Sequence, residues 1–121
     1  MRSELRDTAL MGCRWRRKKF DECLVVTSAI ADNFALDAEM PPVIALFAGA
    51  ARDVLMPADS SDIKGLRMTI INLGVTAGAT ITLKTSADAA LTPAVTVGIN
   101  ASVNMVHLGG TGTTGWRRVD Q

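Results

Sequence analysis

From Leu66 to His107 the chain alternates apolar residues with Thr, Lys, Ser and Asn at a period of two, broken only by short Gly, Ala, Asp and Pro turns. That period puts alternate side chains on opposite faces of a β-sheet and is incompatible with the 3.6-residue repeat of a surface helix. Leu66, Met68 and Ile70 are expected to face inward, with Arg67 and Thr69 outward. Ala79 to Thr85 gives the clearest alternation, and strands are also expected at 94–99, 102–107 and 116–119, with a turn from Asp88 to Pro93.

The same texture extends towards the N-terminus as far as Cys23. Leu24 to Ser28 is rich in β-branched residues and reads as a strand, as do 34–38 and 52–56. Val43-Ile44-Ala45-Leu46-Phe47 is apolar at five successive positions. A strand solvated on one face does not carry such a run. Val43, Ile44, Leu46 and Phe47 are therefore expected in the deepest core or in a self-association interface. Strands at spacings of about ten residues, with no helical segment between them, imply an all-β fold. The expectation is a compact antiparallel sandwich or barrel over 23–121. A chain of 121 residues is one domain, able to bury roughly two thirds of its unfolded surface.

Residues 1–22 differ in composition and are expected to form a separate N-terminal basic arm. They carry 7 Lys/Arg against 4 Asp/Glu, whereas the remainder carries 6 against 8. Arg14, Trp15, Arg16, Arg17, Lys18, Lys19 and Phe20 form a cationic run with an aromatic near each end. Such a run can contact phosphates and stack on bases. It can equally pair with acidic protein surface, through bidentate Arg contacts and a Trp anchor. Trp15 would be wasted on a merely solvated tail, and protein is taken as the partner in preference to nucleic acid.

Nothing in the sequence assembles catalytic chemistry. Gly110 to Gly115 matches the letters of a dinucleotide fingerprint, but Trp116-Arg117-Arg118-Val119 follows where a helix would be needed to hold the pyrophosphate. His107 is the only histidine, no nucleophile sits in a recognisable elbow, and a sheet or interface role is expected for it. Cys13, Cys23 and His107 lack the paired spacing of a zinc site, and the two cysteines read as free thiols in a reducing compartment, with a small loop-closing disulfide left open. Asp59, Asp62 and Asp88 read as solvated loop acids, and Asn100-Ala101-Ser102 as a turn despite its sequon pattern. The reading is no enzyme, no metal and no cofactor. No apolar run precedes a cleavage site at the N-terminus, and the run from Pro41 to Ala51 is too short to span a bilayer, so no membrane is expected.

Three local motifs carry a resemblance. Gly49-Ala50-Ala51-Arg52-Asp53-Val54-Leu55-Met56-Pro57 and Lys64-Gly65-Leu66-Arg67-Met68-Thr69-Ile70-Ile71-Asn72 are similar to segments of small virion proteins of tailed bacteriophages, of the head decoration or head-fibre kind. Thr80-Ile81-Thr82-Leu83-Lys84 and the terminal Gly115-Trp116 pair add to the likeness, which runs from Ala35 to Val119. Met68 stands where such segments have Phe, and 85–89 replaces their Asp-Gly turn. The resemblance implies a structural protein made in the host cytoplasm and incorporated in the virion. It would bind the major capsid protein on the outside of the head as a decoration or cement protein, as a homotrimer. A module of a tail fibre or another receptor-binding appendage is the alternative.

Overall fold

The computed structural model describes residues 23–119. The expected arm, with Cys13 and the cationic run from Arg14 to Phe20, lies outside the described residues. Among these there are nine strands: β1 (Cys23–Ala29), β2 (Phe34–Ala35), β3 (Val43–Phe47), β4 (Arg52–Leu55), β5 (Arg67–Asn72), β6 (Ile81–Lys84), β7 (Ala90–Val97), β8 (Ser102–His107) and β9 (Trp116–Arg118). Two single 3₁₀ turns, Ser61–Ile63 and Gly112–Thr114, are the only helical elements among the described residues. The first is started by Ser60, whose Oγ accepts from the Asp62 N–H at 3.1 Å.

The strands form a five-stranded sheet in the order β9-β8-β5-β3-β1 and a four-stranded sheet in the order β2-β4-β6-β7. From β1 to β6 every strand lies in the sheet opposite to its predecessor. Neighbours within a sheet are therefore two strands apart in sequence and run the same way. β1 pairs with β3, β3 with β5, β2 with β4 and β4 with β6, all in parallel. Only the last third of the chain runs back: β7 pairs antiparallel with β6, β8 with β5, and β9 with β8.

This corrects the expected antiparallel architecture: both sheets are mixed, and neither closes into a barrel. The physical reason lies in the connections. The loops between β1 and β6 cross from one sheet to the other instead of folding back as hairpins. Period-two patterning assigns faces to a strand but carries no information about its neighbour.

Inward side chains of both sheets belong to one apolar cluster. Ile44, Leu46, Met68, Ile70, Val103 and Met105 come from the larger sheet, and Val54, Ile81, Leu83, Val95 and Val97 from the smaller. Trp116 on β9 is the largest side chain buried there. Among the described residues, the run from Val43 to Phe47 is the larger sheet's one strand with parallel neighbours on both sides. Ile44 and Leu46 are wholly buried in the core, whereas Val43 and Phe47 point to the outer face and are half-buried.

Two positions depart from sequence expectation in an instructive way. Pro93 was expected in a turn but lies within β7, whose pairing to β6 jumps from Ala90 opposite Lys84 to Val95 opposite Leu83. A residue without an N–H is tolerated in such a bulge on an edge strand, and the Thr92–Pro93 peptide is cis. The other is Asn72, a polar residue at the inward end of β5 with 1% exposure. Its Nδ2 donates to the carbonyls of Ala79 at 2.8 Å and Val97 at 3.1 Å, and its Oδ1 accepts from the Gly74 N–H at 2.7 Å. One amide thus ties the larger sheet to the end of the smaller one, with each polar atom satisfied.

Candidate functional site

Among the described residues the densest polar constellation surrounds His107. The ring sits on the inward face of β8 and is 1% exposed. Its Nδ1 accepts from the Gly109 N–H at 3.1 Å, so in the neutral ring the proton is on Nε2. Nε2 then donates to Oδ1 of Asp59 at 2.9 Å. The other carboxylate oxygen, Oδ2, accepts from the Gly112 N–H at 2.7 Å. Trp116 meets the imidazole edge-on, with centroids 5.1 Å apart and planes at 73°, while its indole N–H donates to the Pro57 carbonyl at 3.2 Å.

The site therefore clasps three segments: 57–59 after β4, the end of β8, and the glycine–threonine loop before β9. The clasp demands glycine at two places. Gly109 has φ +88, which L side chains rarely adopt, and a Cβ there would meet the Lys64 stem at 3.0 Å. At Gly115 the obstacle is steric, because a Cβ would lie 2.7 Å from Asp59 Oδ1 and 3.1 Å from His107 Nε2.

Chemically the arrangement has little to offer a substrate. Both ring nitrogens are engaged within the chain, and the glycine loop spends an N–H on an internal carboxylate. A strand, β9, follows that loop where dinucleotide binding would need a helix. Asp59, expected as a solvated loop acid, is instead the partner of His107; Asp88 is exposed, with Lys84 at 3.7 Å. Cys23 lies exposed on β1, remote in role from a ring whose nitrogens are taken. Among the described residues no group of three or more His, Cys, Asp or Glu could hold a metal ion. No helix among them is long and apolar enough to cross a membrane.

A second feature is the outer face of the larger sheet. In register across β1, β3 and β5 stand Val25, Ala45 and Ile71, with Val43 and Phe47 to either side of Ala45. Val25 is 58% exposed. No charged residue lies among the outward positions of β1 and β3, and Arg67 and Arg117 flank Val106 at the far margin. The outer face of the smaller sheet is different in kind. There Lys84 Nζ lies 3.1 Å from Asp53 Oδ2, and the pair raises the lysine above its ordinary range, chiefly through that hydrogen bond.

Third, an open depression of about 460 Å³ lies between the β2–β3 and β4–β5 connections, bordered by Glu39, Asp62, Ile63, Lys64 and Leu66. It gathers opposite charges without a buried polar group aimed into it.

Scans against protein-family models, curated proteins and solved structures find nothing that matches this chain.

Proposed function

We propose that this protein is a non-enzymatic structural component of a tailed-bacteriophage virion. In this reading it binds the outer surface of the head, contacts the major capsid protein and cements the shell. The two sheets serve as the layers of a sandwich, and residues 1–22 are the arm that reaches capsid protein. The working form is a homotrimer.

The observation that carries the proposal is the outer face of the larger sheet. Val25, Val43, Ala45, Phe47 and Ile71 give it an apolar, uncharged centre, as an interface core requires. The imidazole of His107 supports an inert role, since both of its nitrogens are turned to partners within the chain and away from any substrate. The motifs that resemble those of head decoration proteins have their central residues on β4, β5 and β6, where they build scaffold. A cement adds many modest contacts across capsomer boundaries, and a multivalent oligomer rebinds at high effective concentration.

One observation favours the appendage reading. Three successive strand pairs, β1β2, β3β4 and β5β6, stack in parallel like the coils of a short solenoid, a mode of growth suited to a fibre shaft.

The test uses heads assembled without the protein. They are expected to rupture at lower temperature or milder osmotic shock than decorated heads, and purified protein should restore resistance. Protein lacking residues 1–22, or carrying Val25→Asp, should fold but fail to restore it. Undecorated heads as robust as decorated ones would remove the cementing role and shift the weight to the appendage.

A further inference from the structure

We propose that the Asp59–His107 pair is a proton-operated latch on residues 109–112, closed while the imidazole is neutral and released at Gly109 when it takes a second proton. The inference is independent of what the protein binds.

It follows from the direction of the hydrogen bonds. A backbone N–H can only donate, so the Gly109 bond exists only while Nδ1 carries a lone pair. A second proton on the ring must go to Nδ1, because Nε2 already holds one and faces Asp59. Proton binding and the Gly109 hydrogen bond are therefore mutually exclusive: two N–H groups would point at each other across 3.1 Å.

Asp59 makes the release local. The carboxylate still accepts from Nε2 in the imidazolium, now as an ion pair, and still holds the Gly112 N–H. Gly112 thus stays anchored while Gly109 is expelled, and the chain between them is the part that moves. Leu108 stays on the fixed side, its N–H donating to the Gly115 carbonyl at 2.9 Å.

Few other charges bear on the ring. Lys64 lays its stem across Gly109 and would be repelled by an imidazolium. Asp62 and Glu39 stand beyond it around the depression. β9 presents Trp116 to the ring, with half-buried Arg118 further along the same face opposite Met105, while Arg117 is exposed and pairs with Val106 on the outward face. Gly65 and Leu66 meet His107 through backbone groups alone: the Gly65 N–H donates to its carbonyl, and its own N–H donates to the Leu66 carbonyl.

The test is an NMR titration of the full chain towards acid. The Nδ1 nitrogen shift reports the second proton, and amide exchange reports the latch. The Gly74 amide, bonded to Asn72 Oδ1, serves as the internal reference for global opening. As Nδ1 protonates, Gly109 should lose protection about tenfold relative to Gly74, the loss expected of one hydrogen bond. His107→Gln keeps a donor for Asp59 but cannot titrate, and its Gly109-to-Gly74 ratio should not change with pH. Three results would overturn the proposal: Gly109 protection unchanged while Nδ1 protonates, Gly109 and Gly74 lost together, or an imidazole that stays neutral until the chain unfolds. The parent titration alone decides the matter if the glutamine variant does not fold.

Discussion

Replacing Asn72 by Ala tests whether one buried amide couples the two sheets. The substitution removes two donations, to the Ala79 and Val97 carbonyls, and one acceptance, from Gly74. At about 1 kcal/mol net for each bond the direct loss is about 3 kcal/mol. The Gly74 N–H is left in a buried position, and a Cβ built on that glycine would lie 2.7 Å from the Ala48 carbonyl oxygen and 3.3 Å from that of Ala79, so little room exists for water to replace the amide. That desolvated donor raises the expected loss to about 4 kcal/mol. Native domains have only about 5–15 kcal/mol in hand, so the variant should fold at room temperature with little margin. At about 4 °C per kcal/mol for a chain of this size, the midpoint should fall by about 16 °C. Chemical and thermal unfolding followed by circular dichroism measure both quantities. Thr69→Val is the internal contrast, since it deletes the exposed 2.6 Å bond to Asn104 and should cost no more than about 0.5 kcal/mol. A loss at Asn72 below about 1 kcal/mol, or one no larger than at Thr69, would refute the coupling.

Three further outcomes are expected. Leu46→Asp should prevent folding, because it places a charge in a wholly buried site, whereas Phe47→Asp on the outer face should fold but alter oligomer size or head binding, read by light scattering and co-sedimentation. Gly115→Ala should cost about 1–3 kcal/mol and shift the His107 ring signals, since the added carbon collides with both members of the clasp. Lys84→Gln should weaken the chain only on the near side of alkaline pH. A lysine raised above its unfolded value of 10.5 stabilises fully below that pH, and the contribution disappears as pH climbs through the folded value, so parent and variant should converge there in denaturant unfolding.

Strand positions were legible because alternation is a local signal. Val43–Phe47 and Ser102–His107 match their expected limits, and the inward set Met68 and Ile70 lies where period two puts it. Pro93 misled because the bulge that tolerates it is a property of the neighbouring strand's register. The parallel ladders were illegible for a related reason: a crossing loop and a hairpin loop of similar length use the same Gly, Ala, Asp and Asn residues. The clasp was hidden by distance. Asp59 and His107 are 48 residues apart, and neither stands in a motif that names the other. The one available hint was the glycine density from Gly109 to Gly115, which signals close approach of something to the backbone without saying what.

The strand-by-strand crossing between sheets has a kinetic consequence. No two consecutive strands from Cys23 to Lys84 pair with each other, because each pairing skips the strand that lies between its partners. Loop closure must precede reward at every step, which gives a high contact order and places folding in the slow, milliseconds-to-seconds range of β proteins. The β6–β7 and β8–β9 hairpins escape this, since their pairings are local. A refolding experiment should therefore see the amides of those hairpins protected early, with the β1–β3 and β2–β4 amides following together as one cooperative phase.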